Sequence, residues 1–184
     1  VLDYIMWDRL YIFAPDLTED KYVYLIGMLK AVEEKYNEIN ETNEQKVFFS
    51  DNPDEIPDVN ELDPAFQNLV VIDDAVINKK ANEKVSELMI RGRKRNASII
   101  YQTQSFFNVP KVMRLQANYV VLFSVASANE LRELAKTFAA GIEYKEFVKL
   151  FRQCTSIPFG FLVLDMRTSK APMKIRCKWD GLYI

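Results

Sequence analysis

Asp73 and Asp74 are adjacent carboxylates that close the run Asn68-Leu-Val-Val-Ile-Asp-Asp74. Four β-prone apolar side chains in a row suit a strand buried on both faces of a parallel sheet. Acids at the carboxyl end of such a strand lie where open α/β sheets bind ligands. This is the Walker B pattern, in which the first acid, Asp73, holds Mg2+ through water. The second, Asp74, orients or deprotonates the water that attacks a γ-phosphate. The plain alternative is a buried strand followed by a polar turn. The phosphate-cradling motif G-x-x-x-x-G-K-[ST] that usually accompanies these acids is absent, and the five glycines, at 27, 92, 141, 160 and 181, are too far apart to form one.

A second constellation runs from Glu87 to Lys111, E-L-M-I-R-G-R-K-R-N-A-S-I-I-Y-Q-T-Q-S-F-F-N-V-P-K: a basic helix end, a buried-type strand, then a polar cluster at that strand's carboxyl terminus. Neighbouring parallel strands end side by side, so Gln104 is placed to reach the zone of Asp73 and Asp74. An amide there donates to a γ-phosphate and accepts from its water, whereas its bland role is a solvated turn. Arg91, Arg93, Lys94 and Arg95 put four positive charges in five residues. They suit a helix C-terminus facing the macrodipole. The sharper readings are phosphate contacts to DNA or an arginine finger, the latter worth roughly 10³ to 10⁵ in rate.

The elements that must position these groups follow from periodicity. Arg9 to Ala14 reads as a short strand closed by Pro15-Asp16, and Thr18 is suited to cap a helix over Lys21 to Ile39 with apolar residues at 22, 25, 26, 29, 32, 36 and 39. Lys46 to Phe49 is a strand. Residues 51 to 64 are acidic and Pro-punctuated, a solvated linker that does not pack on itself. A helix over Ala81 to Arg91 and strands at Ser98 to Tyr101 and Tyr119 to Ser124 come next. Helices then cover Ala128 to Ala140, ending at Gly141, and Tyr144 to Gln153, whose stripe of Tyr144, Phe147, Val148 and Phe151 is core. A hairpin of Phe159 to Asp165 with Met173 to Trp179 ends the chain, the last strand at a sheet edge with Lys174, Arg176 and Lys178 on its outer face. Strands alternating with helices predict an α/β fold with a mainly parallel sheet flanked by helices and a C-terminal β-hairpin, in one domain.

Composition narrows the chemistry. The 184 residues are 49% hydrophobic, enough for a sizeable core, and the formal charge of -2 means that any basic contact surface is local. With no histidine at all, Ser-His-Asp triads and most zinc sites are excluded. Cys154 and Cys177 form no CxxC and read as reduced thiols of a cytoplasmic protein. No apolar segment reaches the roughly 18 residues of a membrane span. Val1 to Trp7 reads as the end of a helix whose start is missing.

The segments D-R-L-Y-I-F-A-P-D-L-T-E-D-K-Y, L-V-V-I-D-D and R-G-R-K-R-N-A-S-I-I-Y-Q-T-Q-S-F-F-N-V-P-K-V-M-R-L-Q-A-N-Y-V-V-L-F, in this order and spacing, resemble the packaging ATPases of large eukaryotic DNA viruses, virophages and related elements, including the poxvirus type, within the FtsK–HerA superfamily. The resemblance spans about Asp8 to Ser124, and Q-S-F-F-N-V-P-K is its most specific part. It implies a P-loop NTPase core that uses ATP and Mg2+ to drive double-stranded DNA, without sequence preference, into capsids. Asp73 would be the Mg2+ acid, Asp74 the catalytic base where many relatives have Glu, and Gln104 the polar sensor. Arg91, Arg93 or Arg95 would be the finger or a DNA contact. Implied partners are a homo-oligomeric ring and capsid portal or vertex proteins, in the host cytoplasm, a viral factory or the virion. In these relatives the phosphate-loop strand and helix precede D-R-L-Y-I-F, so the resemblance implies an N-terminally incomplete core, inactive alone, with one flank of the Walker B strand open. The rival expectations are a non-catalytic oligomerisation module derived from such an ATPase, and a plasmid or host translocase or helicase-like ATPase.

Overall fold

The structure is a computed structural model that describes residues 5–74, 79–125, 127–168, 174–179 and 181–182. The chain forms two compact units, Val1–Gln104 with Pro110–Met113, and Ser105–Val109 with Arg114–Ile184.

The first unit is a parallel α/β layer. Its strands are β1 (Arg9–Phe13), β2 (Val47–Ser50), β3 (Asn68–Asp73) and β4 (Ala97–Gln102), in the spatial order β2-β1-β3-β4. All three pairings are parallel, with Leu10 opposite Val47 and Leu69, and Asp73 opposite Gln102. Helices make the crossovers: α1 (Asp20–Asn40) joins β1 to β2, and α2 (Lys79–Arg91) precedes β4. Alternation along the strands sorts the core into two faces. Leu10, Ile12, Val47 and Leu69 pack with Tyr22, Leu25, Ile26 and Leu29 of α1. Val70 and Ile72 point the other way, and Ala81, Val85 and Leu88 bury the inner stripe of α2. β3 is thus hydrogen-bonded on both edges and covered on both faces, which is what its unbroken apolar run requires. The expected open flank of the Walker B strand is therefore corrected: β1 and β4 occupy both sides of β3.

Three local expectations also change. Thr18 caps nothing; its N–H and hydroxyl both donate to Asp16 Oδ1, at 2.8 and 2.6 Å, tightening the turn, and the N-cap position of α1 is Glu19. The 3.6-residue stripe of α1 reaches the core only in its first half, since Val32 and Ile39 are 65% and 70% exposed. The acidic segment 51–64 is no solvated linker. It starts with a 3-10 turn at Pro53–Glu55, where Asn52 accepts from the Asp54 N–H, and it buries Ile56, Val59 and Leu62 almost completely. Lys84 of α2 pins it by donating to the carbonyls of Asp54 and Ile56 at 3.0 and 2.7 Å.

The second unit is antiparallel. After α3 (Lys111–Gln116), strands β5 (Tyr119–Leu122), β6 (Leu162–Asp165), β7 (Ile175–Cys177) and β8 (Gly181–Leu182) pair in chain order. Helices α4 (Ala128–Phe138) and α5 (Tyr144–Thr155) bury Leu131, Leu134, Phe138, Phe147 and Phe151 against Leu162, Leu164 and Ile175. Ser127 caps α4 by accepting from the Glu130 N–H, and the helix stops at Phe138, with Gly141 two residues beyond the C-cap at φ 93°. The strand expected at the edge is not one: β7 lies between β6 and β8, and Arg176 on it pairs with Asp165. Of the helix end expected at Val1 to Trp7, residues 1–4 lie outside the described residues and Ile5–Trp7 are not helical; Met173 also lies outside them.

Candidate functional site

The carboxyl ends of β3 and β4 bring the sequence's acids and glutamine together. Asp73 is the last residue of β3, and the Asp74 N–H continues the ladder by donating to Gln102 O at 3.2 Å. Asp74 then turns the chain at φ 43°, a left-handed conformation that Asp tolerates better than most residues. From there its carboxylate meets Gln104, whose Nε2 donates to Oδ2 at 2.5 Å. Gln104 stands two residues past the register partner of Asp73, so parallel pairing alone delivers it to the acids.

Two further groups enter from α1. Because β1 neighbours β3, the helix that follows β1 starts beside the same sheet edge. Its first turn presents Tyr22, whose hydroxyl donates to Asp73 Oδ2, and Lys21, whose Nζ lies 3.7 Å from that oxygen and 3.1 Å from Glu19. Tyr22 is buried in the α1 core, and burial, reinforced by the bond to Asp73, pushes its phenol above the ordinary value, so it is a proton donor at neutral pH. Lys21 is raised by its bond to Glu19 above all, and by Asp73. No sequence pattern singled out Tyr22 or Lys21. The signal available was topological: a helix after a strand adjacent to β3 begins at the carboxyl edge.

These groups line a cleft of about 250 Å³ with Pro15, Gln102 and Thr103. That is below the roughly 300–1,000 Å³ of pockets that enclose whole small molecules, and it suits a phosphate end with its cation. A larger open groove, about 910 Å³, runs along α2 by Asn82, Ser86, Ile90, Pro110 and Val112. It is lined by Arg91 but by none of Asp73, Asp74 and Gln104, so size does not mark the site of the acids.

The cleft's donors fit one kind of metal. They are carboxylate and amide oxygens, and among the described residues no group of three or more His, Cys, Asp or Glu could hold an ion. Such a set suits a hard cation that keeps its waters and takes one or two carboxylates plus substrate phosphates, as Mg2+ does.

The arginines are elsewhere. Arg91 ends α2, and Gly92–Arg95 forms a 3-10 turn leading into the amino end of β4. There Asn68, at the start of β3, donates to Arg95 O at 3.0 Å. The acids lie at the other end of the same strand, roughly 17 Å away at about 3.3 Å per residue. Arg91 is engaged by Glu87 one helical turn back, and Arg95 donates to Asn60 Oδ1 at 3.1 Å. Within one copy, none of the three arginines joins Asp73, Asp74 and Gln104.

No protein-family model matches the sequence, and no curated protein matches it. Solved structures do. The DNA-packaging ATPase B204 from Sulfolobus Turreted Icosahedral Virus matches at a TM-score of 0.51 and 16% identity, over 96% of this chain and 98% of that one. The genome packaging NTPase B204 from Sulfolobus turreted icosahedral virus 2 matches over the same shares, in complex with AMPPCP at a TM-score of 0.52 and 16% identity, and in complex with ATP-gammaS at 0.50 and 14%. At such identities the likeness is one of fold: this chain has the α/β fold of P-loop-type packaging ATPases.

Proposed function

We propose that this chain is the catalytic core of an ATP-driven translocase of double-stranded DNA, working in viral genome packaging. The observation that carries the reading is the meeting of Asp73, Asp74 and Gln104 at the carboxyl ends of adjacent parallel strands, in a fold shared with packaging ATPases. Within this reading Asp73 holds the cation, which when bound neutralises charge on the β- and γ-phosphates. Asp74 accepts the proton of the attacking water. Gln104 fixes the Asp74 carboxylate through its amide N–H and senses the γ-phosphate with the same group, so departure of the phosphate changes what Gln104 holds.

The phosphates need further donors, since this site has acids and amides but no G-x-x-x-x-G-K-[ST] backbone cradle. Arg91, Arg93 and Arg95, lying at the opposite end of the sheet, serve a neighbouring copy's nucleotide or the DNA backbone. That assignment makes a homo-oligomeric ring part of the mechanism. Contacts to DNA are with phosphates and so are salt-dependent and indifferent to sequence. Capsid portal or vertex proteins are the docking partners of such a ring. No helix among the described residues is long and apolar enough to cross a membrane.

The test is DNA-stimulated ATP hydrolysis by the full-length protein. Asp74→Asn is expected to lower kcat by about a hundredfold or more with nucleotide binding kept; unchanged hydrolysis would remove Asp74 as the base, and no hydrolysis by the wild-type protein would favour a non-catalytic module.

A further inference from the structure

Asp73 is held in an unequal way. On one side is a buried, neutral phenol; on the other, an ammonium that is 61% exposed and shared with Glu19. Among the described residues both contacts converge on the same oxygen, Oδ2. Tyr22 cannot wander, because its ring packs with Leu10, Ile12 and Leu69. Lys21 can, because its stem lies in solvent and its ring contact with Tyr22 is loose, at 4.8 Å. A neutral donor orients a carboxylate without cancelling its charge, whereas a cation beside it competes with any incoming ion.

We infer that Tyr22 is a positioning residue for Asp73: its hydroxyl fixes the carboxylate so that the charge stays available to a divalent cation, and Lys21 is the resting counter-charge that the cation displaces. This rests on Asp73 being the cation-holding acid. Tyr22 touches neither nucleotide nor water in this scheme; it acts only through Asp73. The first turn of α1 thereby registers whether the cation is bound, because the oxygen that Tyr22 holds belongs to the ligand that the cation draws on.

The experiment uses Mn2+ as the probe, with free ion counted by its electron paramagnetic resonance signal, on wild type, Tyr22→Phe and Asp73→Asn. Tyr22→Phe keeps the buried ring and deletes only the hydroxyl. It is expected to weaken Mn2+ binding by about tenfold or more, the usual effect of removing an outer-shell partner, while Asp73→Asn abolishes it. Binding that is equal in Tyr22→Phe and wild type, yet lost in Asp73→Asn, overturns the positioning role and leaves the site reading intact. Binding that survives Asp73→Asn, or no binding by wild type, overturns the site reading and this inference with it. A second measurement needs no mutation at Tyr22. In protein labelled with 3-fluorotyrosine, the fluorine resonance of residue 22 is expected to shift on adding Mg2+ in wild type and to stay still in Asp73→Asn. A resonance that does not move while Asp73-dependent binding proceeds also overturns the role.

Discussion

Each unit of this chain ends a strand with an aspartate, and the two aspartates are handled in opposite ways. Asp165 closes β6 with its side chain 3% exposed, clamped by Arg167 at 3.2 and 3.1 Å and by Arg176 at 2.7 Å. The Arg167 N–H also donates to it, and Arg167 stacks on Tyr119. Asp73 closes β3 with its side chain 19% exposed, held by a neutral hydroxyl and one distant ammonium. The first arrangement cancels the carboxylate's charge with guanidinium forks and spends it on structure. The second leaves the charge at a cleft balanced only by an exposed ammonium that an incoming cation can displace.

Exchanging the carboxylates for neutral groups is the strongest way to break this contrast. Asp165→Ala strands Arg176, whose Nε already lacks a partner among the buried polar atoms. Both arginines reach water in part, so we expect a loss of about 2–3 kcal/mol, below the full cost of breaking a buried pair. Asp73→Asn keeps an oxygen for Tyr22 and gives up only a loose pair with the exposed Lys21 ammonium, so stability is expected to change by about 0.5 kcal/mol or less. Denaturant unfolding of both variants measures the difference. Equal losses would mean that Asp73 is as structural as Asp165, and the contrast would collapse.

The same contrast has a pH signature. The hydrogen bond from Arg167, with the charges of Arg167 and Arg176, holds the Asp165 carboxyl below its ordinary value of 3.8. A group depressed on folding contributes its stabilisation fully above the unfolded value and loses it as pH falls through the folded one. The gap in unfolding free energy between wild type and Asp165→Asn is therefore expected to be constant near neutrality and to close below about pH 3.8. Unfolding curves taken across pH 2–6 check it, and a gap that persists at the acid end removes the ion pairs as its cause.

The parallel half was legible from sequence because its signals are local and agree. The apolar run of β3 needs cover on both faces, and β1, β2, β4 and α2 follow from periods of two and 3.6. From those elements alone, parallel register carries Gln104 to Asp74. What stayed hidden depends on contacts between distant residues. Tyr22 reaches Asp73 only once β1 is seated beside β3. The burial of Ile56, Val59 and Leu62 is masked by the acids and prolines around them. The centre-sheet position of β7 depends on β8, a strand of two residues. Arg176, read as part of an exposed basic face, has its partner eleven residues away across a hairpin.

A last test concerns a charge that, among the described residues, is held by neutral backbone groups alone. The Lys84 ammonium donates to two backbone carbonyls, Asp54 O and Ile56 O, and so ties segment 51–64 to α2. Lys84→Met keeps most of the side-chain length and removes the donor, leaving the Ile56 carbonyl to find water. The apolar anchors Ile56, Val59 and Leu62 remain, so the segment loosens and the sheet does not unfold. We expect a loss of about 1.5 kcal/mol, the low end for hydrogen bonds to a charged group, and faster protease cleavage confined to residues 51–64. If cleavage there is unchanged, the buried apolar residues alone hold the segment and the ammonium adds nothing. If cleavage spreads to the strand ends around Asp73, the segment supports the site itself, and the line between structural and chemical charges in this unit would have to be redrawn.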